Sequence, residues 1–213
     1  MKVGRRLVKR DLVTVAPGDS LELAFQLMVS NRIRHLPVTE RGRVKGILSD
    51  RDLKSALIQT RQSDPGRDVY YIPPGVTVSE IMTADPICIT PADDIEEAAR
   101  LMHRHRIGAL PVVEEGLLVG ILTESDILAI FIEIMGVIES SSRIDVEMDE
   151  SADTLNVAAE IIRKQGARVI SIAMSAPTAD KRRVYYFRLS STDTAPIVTA
   201  LEQSGFKVTS SIT

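Results

Sequence analysis

A stretch that occurs twice at one fixed spacing constrains this chain more than any other feature. The first copy reads Ile33-Arg34-His35-Leu36-Pro37-Val38, a polar turn to Gly42, then Gly46-Ile47-Leu48-Ser49-Asp50-Arg51-Asp52-Leu53. The second reads Ile107-Gly108-Ala109-Leu110-Pro111-Val112, a turn to Gly116, then Gly120-Ile121-Leu122-Thr123-Glu124-Ser125-Asp126-Ile127. Matched positions are displaced by 74 residues, as in 111 − 37 and 126 − 52. The register continues upstream without a gap through Pro17/Pro91, Asp19/Asp93, Glu22/Glu96, Ala24/Ala98, Leu27/Leu101 and Met28/Met102. Residues 13–53 and 87–127 agree at 17 of 41 aligned positions, too many for chance, which marks an internal repeat.

The local pattern inside each copy predicts strand, helix, strand, strand, helix. Val13-Thr14-Val15 is a short β-type segment ended by Pro17-Gly18. Asp19 stands where a helix N-cap is expected, with Glu22 three residues on to complete a capping box. Leu21, Ala24, Leu27 and Met28 then recur at helical spacing, so one helix face is buried. Leu36-Pro37-Val38 and Val44 to Leu48 read as strands around Arg41-Gly42-Arg43, and Ser49 opens a helix running to about Thr60. The second copy repeats this plan with Asp93 and Glu96 at the cap. Its final helix, Ile127 to Met135, is apolar almost all round and calls for cover on more than one side, as at a subunit interface.

Between the copies, Gln62 to Arg67 and Pro73-Pro74-Gly75 are turn residues and predict a loop. Tyr70 and Tyr71 there suit stacking on a ligand base or, the simpler expectation, packing of the linker over a core, and a short helix, Val78 to Met82, leads into the second copy. Glu139-Ser140-Ser141-Ser142 reads as a second linker. Beyond it, Arg143 to Met148 alternates as a half-buried strand and Thr154 to Gln165 is an amphipathic helix stopped by Gly166. Two strands follow, Val169 to Met174 and Val184 to Leu189, then a helix closed by Gly205 and a last strand, Phe206 to Ile212. This β-α-β-β-α-β order is that of a small ferredoxin-like α+β unit. The expected domains are residues 1–62, residues 63–138 with the first linker, and residues 139–213.

With 213 residues the chain can hold one large core or two smaller ones. A net charge of −3 offers no global electrostatic case for nucleic acid or an anionic membrane. The basic cluster Lys2, Arg5, Arg6, Lys9, Arg10 reads as a solvated terminus. A lone Cys88 excludes an internal disulfide framework and fits a reducing compartment. The longest apolar run, Ile127 to Ile138, is interrupted by Glu133 and Gly136 and is too short to span a bilayer. A soluble, cytoplasmic protein is expected.

No His/Cys cluster has metal-ligand spacing, and neither a nucleophile elbow nor a Gly-rich phosphate loop is present. A general acid/base pair needs a second titratable group in reach. Only His35 qualifies in the first copy, and Ala109 is its counterpart, so no enzymatic activity is expected. His103 and His105 fall near a helix C-terminus, where a structural role suffices. The motifs left are Ser49-x-x-Asp52 and Thr123-x-x-Asp126, each where a strand ends and a helix begins. Hydroxyl and carboxylate at this spacing make a helix cap. They also suit a nucleotide, since a helix N-terminus attracts phosphate and a carboxylate accepts both hydroxyls of a ribose. Two copies in one register favour binding.

Leu-Pro-Val, the Gly-Ile-Leu strand and the Ser/Thr-x-x-Asp ending resemble a CBS domain, and the paired copies resemble a CBS tandem, or Bateman module, over residues 8–134. The tail from about residue 140 resembles an ACT domain through its element order. Together they are similar to AcuB-type acetoin utilization proteins. The resemblance implies adenosine-containing ligands in two clefts: AMP, ADP, ATP or S-adenosylmethionine as regulatory ligand, with no required cofactor. In the first cleft it implies phosphate contacts from Ser49 and Arg51, ribose contacts from Asp52, and adenine held by Thr14, Val15 and the backbone of His35, Leu36 and Pro37. Arg34 or His35 adds a phosphate contact. In the second, Thr123 and Asp126 take phosphate and ribose, with Cys88, Ile89, Ala109, Leu110 and Pro111 around the base. Ser125 stands where the first copy has Arg51, implying weaker phosphate binding. ACT domains usually enter their first helix through a Pro-Gly turn. Ala152-Asp153-Thr154-Leu155 lacks that glycine, so dimerisation rather than amino-acid binding is implied. The expected whole is a homodimeric regulator, with a partner enzyme as its target; a ligand-free scaffold is the rival reading.

Overall fold

Arg41-Gly42 and Glu115-Gly116 set the fold of each copy, because both pairs have positive φ (52° and 77°, 51° and 78°). Two consecutive left-handed residues make the tight hairpin turn whose twist matches that of the flanking strands. In the computed structural model, which describes residues 1–4, 12–61, 68–137, 141–178 and 182–212, a helix, this hairpin and a second helix make up each copy. In chain order the first copy gives α1 (Leu21–Asn31), β1 (His35–Glu40), β2 (Arg43–Ser49) and α2 (Asp50–Ala56). Then come β3 (Ile58–Arg61), β4 (Asp68–Tyr71), α3 (Val78–Ile81) and β5 (Thr83–Ala84). The second copy gives α4 (Ile95–His105), β6 (Ala109–Glu114), β7 (Leu117–Thr123) and α5 (Glu124–Ile134).

The two hairpins are superimposable in register. Pro37 pairs with Ile47 and Pro111 with Ile121, and each hairpin shifts register at the same place, after Val38 and after Val112. The predicted leading strands shrink to single parallel bridges, Val15 to Val38 and Ile89 to Val112. Leu21, Ala24 and Met28 of α1 and Ile95, Ala98 and Met102 of α4 are buried, as their spacing predicted. Both helices end in a left-handed arginine, Arg32 and Arg106.

Three local expectations are corrected. The N-caps are Ser20 and Asp94, one residue later than expected. Asp19 and Asp93 instead accept from the backbone N–H of Ala16 (2.7 Å) and Thr90 (2.6 Å), closing the turn before each helix. The helix opened by Ser49 stops at Ala56, and the chain forms an antiparallel hairpin of β3 on β4 where a loop was expected. The turn residues 62–67 lie outside the described residues, as does the side chain of Tyr70; Tyr71 is exposed.

The segments that lead into the copies are exchanged. Val3 N–H donates to Asp93 O and Gly4 N–H to Pro91 O, while Ile95 N–H donates to Met1 O. The same three bonds recur in the first copy, where Val78 donates to Asp19, Ser79 to Pro17, and Leu21 to Val76. Residues 1–4 therefore pack on the second copy and residues 76–79 on the first. Val3 is 1 % exposed and Val78 0 %. Arg5 to Asp11 lie outside the described residues.

The chain divides into two compact units, residues 1–127 and 128–213. The second holds β8 (Ser142–Met148), α6 (Ala152–Lys164), β9 (Val169–Met174), β10 (Arg183–Leu189), α7 (Ala195–Gln203) and β11 (Lys207–Ile212). The sheet runs β11-β8-β10-β9 with every neighbour antiparallel, the order that results when each of two parallel strands is separated by a strand of the other β-α-β half. Ile144, Val146, Tyr185, Phe187 and Leu189 face a core with Ala158 and Ile162 of α6 and Ile197 and Leu201 of α7. Ser142, expected in a linker, is a buried strand residue whose Oγ donates to Ser191 O at 2.5 Å. Ile138 to Ser140 lie outside the described residues.

Truncating Val3 to Ala removes buried apolar volume at the exchanged segment and should cost about 1.5–3 kcal/mol. Calorimetric unfolding should show the loss in the transition of residues 1–127. An unchanged transition would mean the exchanged segment contributes no stability.

Candidate functional site

The hairpin register carries the two conserved-in-form motifs to matching places: His35 pairs with Ser49, and Ala109 with Thr123. The next residue begins the helix, so each hydroxyl and the carboxylate three residues on share one corner. Asp52 Oδ2 accepts from Ser49 N (2.8 Å) and from Ser49 Oγ (2.6 Å), and Asp52 N donates to Ser49 Oγ at 3.2 Å. In the second copy the same bonds measure 2.9, 2.6 and 3.3 Å between Thr123 and Asp126. Both motifs are thus complete capping boxes. Each box uses only Oδ2, leaving Oδ1 of Asp52 and Asp126 without a partner among the described residues.

Two cavities adjoin these corners, and each joins the motif of one copy to the hairpin and lead-in of the other. The larger, ≈ 820 Å³, sets Ile47, Ser49, Arg51 and Asp52 against Pro86, Ile87, Arg106, Ile107, Gly108 and Ala109. The smaller, ≈ 240 Å³, sets Ile121, Thr123, Ser125 and Asp126 against Leu12, Val13, Arg32, Ile33, Arg34 and His35. Every residue of the first set maps onto one of the second through the 74-residue displacement. Exchange of the copies therefore relates the two clefts.

Each motif lies against the other copy's strand, where the resemblance implied its own copy's. Asp52 shares its cavity with Ala109 instead of Thr14, Val15 and Pro37, and Pro37 lines the cavity of Asp126. Val15, Leu36, Ile89 and Leu110 are core residues, exposed by 3 % or less. Thr14, Cys88 and Pro111 line neither cavity. Cys88 Sγ donates to Pro86 O at 3.3 Å, and partial burial pushes its thiol pKa up. The crossing arises where the two copies face each other, since each lead-in stays with its own hairpin through the Val15–Val38 and Ile89–Val112 bridges; spacing within a copy does not encode it.

The larger cavity also receives Arg34, His35, Asp50, Thr83, Asp85, Met102, His103, His105 and Glu124. His103 and His105, expected to be structural, lie in the last turn of α4 and line it. Their signal was present in the sequence as i, i+2 histidines ahead of Arg106, beside an apolar stripe.

His35 rests against Gly108. A Cβ on Gly108 would lie 3.0 Å from both Cε1 and Nε2 of the imidazole and 3.5 Å from Glu124 Oε2. Burial, and next Arg34, lower the His35 pKa from 6.5; Asp50, Glu124 and Asp52 oppose them. The unfolded chain therefore takes up a proton at higher pH than the folded one. Stability is full above pH 6.5 and falls as pH drops below it toward the folded pKa of His35. Urea midpoints should fall between pH 7.5 and 5.5, and less so in His35→Gln. An equal decline in that variant would assign the pH dependence elsewhere.

Residues 3–59 and 78–133 match the CBS domain family, together more than half of the chain. The match leaves the four-stranded sheet unit outside it. The chain spans 45 % of the length of a curated relative that is 35 % identical over 130 residues. An acetoin utilization protein (AcuB) from Vibrio cholerae is 31 % identical with a TM-score of 0.51, covering 64 % of this chain and 94 % of that one. Two CBS structures share the fold at 24 % identity and TM-score 0.50. One is the CBS domain pair of protein MJ0100 in complex with 5′-methylthioadenosine and S-adenosyl-L-methionine, over 62 % of this chain and 95 % of that one. The other is CBSX2 in complex with AMP, over 62 % and 97 %. No helix among the described residues is long and apolar enough to cross a membrane. With both copies matched, and with each copy completing the cleft of the other, the chain belongs to the CBS domain family as a tandem pair.

Proposed function

We propose that the chain is a cytoplasmic regulatory protein that binds an adenosyl ligand in the clefts between its two CBS copies. The observation that carries this reading is that Asp52 and Asp126, each with Oδ1 uncommitted among the described residues, line two cavities related by the repeat. Capping uses the other oxygen, so one carboxylate can hold its helix and still accept a ribose hydroxyl. In the larger cleft Asp52 takes the ribose, Ser49 and Arg51 the phosphate, and Ile87 and Ala109 flank the base. In the smaller, Asp126 and Thr123 have the same roles, with Val13 and Pro37 at the base. Arg51 is the main phosphate group, because α2 has only seven residues and donates its Asp52 N–H to Ser49. AMP in CBSX2 and S-adenosyl-L-methionine in the MJ0100 pair support an adenosyl ligand class.

Residues 142–212 act as an ACT-like dimerisation domain in this reading. Support comes from the β-α-β-β-α-β order and the strand order of the sheet, together with the missing glycine before α6. A ligand that binds one relative orientation of the two copies more tightly shifts the population toward it, and the sheet unit or a partner enzyme responds. The ligand leaves chemically unchanged. A ligand-free scaffold is the second reading, favoured by capping boxes already complete without ligand.

Calorimetric titration with AMP, ADP, ATP and S-adenosylmethionine separates the two. Asn keeps a carbonyl oxygen for the Ser49 N–H, so Asp52→Asn should stay folded while losing tenfold or more in affinity. Asp126→Asn should do the same for the smaller cleft. Loss of stability with unchanged affinity would establish the cap as the sole role. Arg51→Ser should cost ~1.5–3 kcal/mol for AMP, about one to two orders of magnitude, and much less for S-adenosylmethionine, which carries no phosphate. Equal losses for both ligands would remove Arg51 from the phosphate.

A further inference from the structure

Arg34 and His35 are the two residues common to the linings of both cavities. Their counterparts in the second copy are Gly108 and Ala109, which have no polar side chain to send across. The wall between the clefts is therefore supplied by one copy alone. Arg34 is exposed and makes no ion pair within 4 Å among the described residues. Lys54 first, and then Arg34, hold the Asp50 carboxyl below the usual carboxylate range, and His35, seated on Gly108, stands beside Arg34.

Resting on the adenosyl-binding reading, we propose that Arg34 is a shared phosphate-binding residue that couples the two clefts, so that a phosphorylated ligand in one weakens phosphorylated-ligand binding in the other. One guanidinium makes one bidentate grip on a phosphate at a time. The larger cleft also holds Arg51 and Arg106, whereas the smaller has Ser125 in place of Arg51. The first phosphate thus enters the larger cleft and takes Arg34 with it. Among the described residues the smaller cleft is left with Arg32 as its arginine, and the charge of the bound phosphate repels a second one nearby. A phosphate-free adenosyl ligand makes no demand on Arg34 and escapes this coupling. By reciprocity the smaller cleft, once filled with a nucleotide, weakens the larger by the same factor.

The test compares AMP binding at the smaller cleft with the larger cleft filled and with it disabled, by calorimetric titration of the full chain. In wild type the second AMP should bind at least tenfold more weakly than AMP binds to Asp52→Asn, whose larger cleft is disabled. Arg34→Gln should abolish that difference: its second step should equal the constant measured in Arg34→Gln/Asp52→Asn. Saturating S-adenosylmethionine in the larger cleft should leave AMP affinity at the smaller one unchanged in the wild type. If wild type takes up one AMP, binding to Asp52→Asn at the smaller cleft supports the coupling and its absence there overturns it. Two independent AMP sites in wild type overturn the coupling while the adenosyl reading stands. No heat from either ligand, in protein freed of carried-over nucleotide, overturns both.

Discussion

The pairing of β1 with β2, repeated as β6 with β7, is the constraint on which the rest of the first unit depends. A two-residue left-handed turn fixes that register, and a one-residue slip would send every core side chain to the wrong face. In this register Leu36, Val38 and Leu48, and likewise Leu110, Val112 and Leu122, are fully buried. The same register ends each second strand at Ser49 or Thr123, so the helix start falls at the mouth of a cleft. Backbone bonds lock that junction: Asp50 N–H donates to Arg34 O at 2.9 Å, and Glu124 N–H to Gly108 O at 3.1 Å. The residues proposed to face ligand are thus tied to the residues that hold the core. Function in such a site tolerates little backbone adjustment.

Legibility in the sequence followed the range of each interaction. Periodicity revealed the buried faces of α1 and α4, since Leu21, Ala24 and Met28 lie on one stripe whatever they pack against. The cap was misplaced by one residue because Asp19 and Ser20 are both good caps, and the choice rests on which one closes the preceding turn. The β3–β4 hairpin was read as helix end and loop, since Ile58 to Arg61 carries no alternation of its own and pairs only because the chain returns at Asp68. In the second unit, alternation in β8 and β10 was plain from sequence. Their neighbours in the sheet were legible only through the element order.

The clefts were the least legible part for the same reason. Asp52 and Asp126 stood out through their repetition. The opposite walls, Ile87 with Ala109 and Val13 with Pro37, come from the other copy and are placed by the facing of the two copies. No spacing within one copy carries that information. A resemblance read copy by copy therefore found the motif and assigned it the wrong wall.

Exchange of two equal copies also explains why they cannot stay equal. Where two copies face each other across a shared boundary, a residue and the near counterpart of its neighbour compete for one space. His35 fills that space against Gly108, and a methyl group there would already press on the imidazole at 3.0 Å. A longer side chain at Gly108 must displace that imidazole or turn into the larger cavity, which Gly108 and Ala109 both line. Close packing against His35 thus favours a residue without a side chain at position 108. The backbone keeps its two-fold likeness while the chemistry loses it: one copy supplies Arg34 and His35, the other supplies room. The larger cleft lies against Gly108 and Ala109 and holds Arg51; the smaller lies against Arg34 and His35 and has Ser125. The seating of His35 on Gly108 and the difference between Arg51 and Ser125 together distinguish two sites that duplication alone would have left identical.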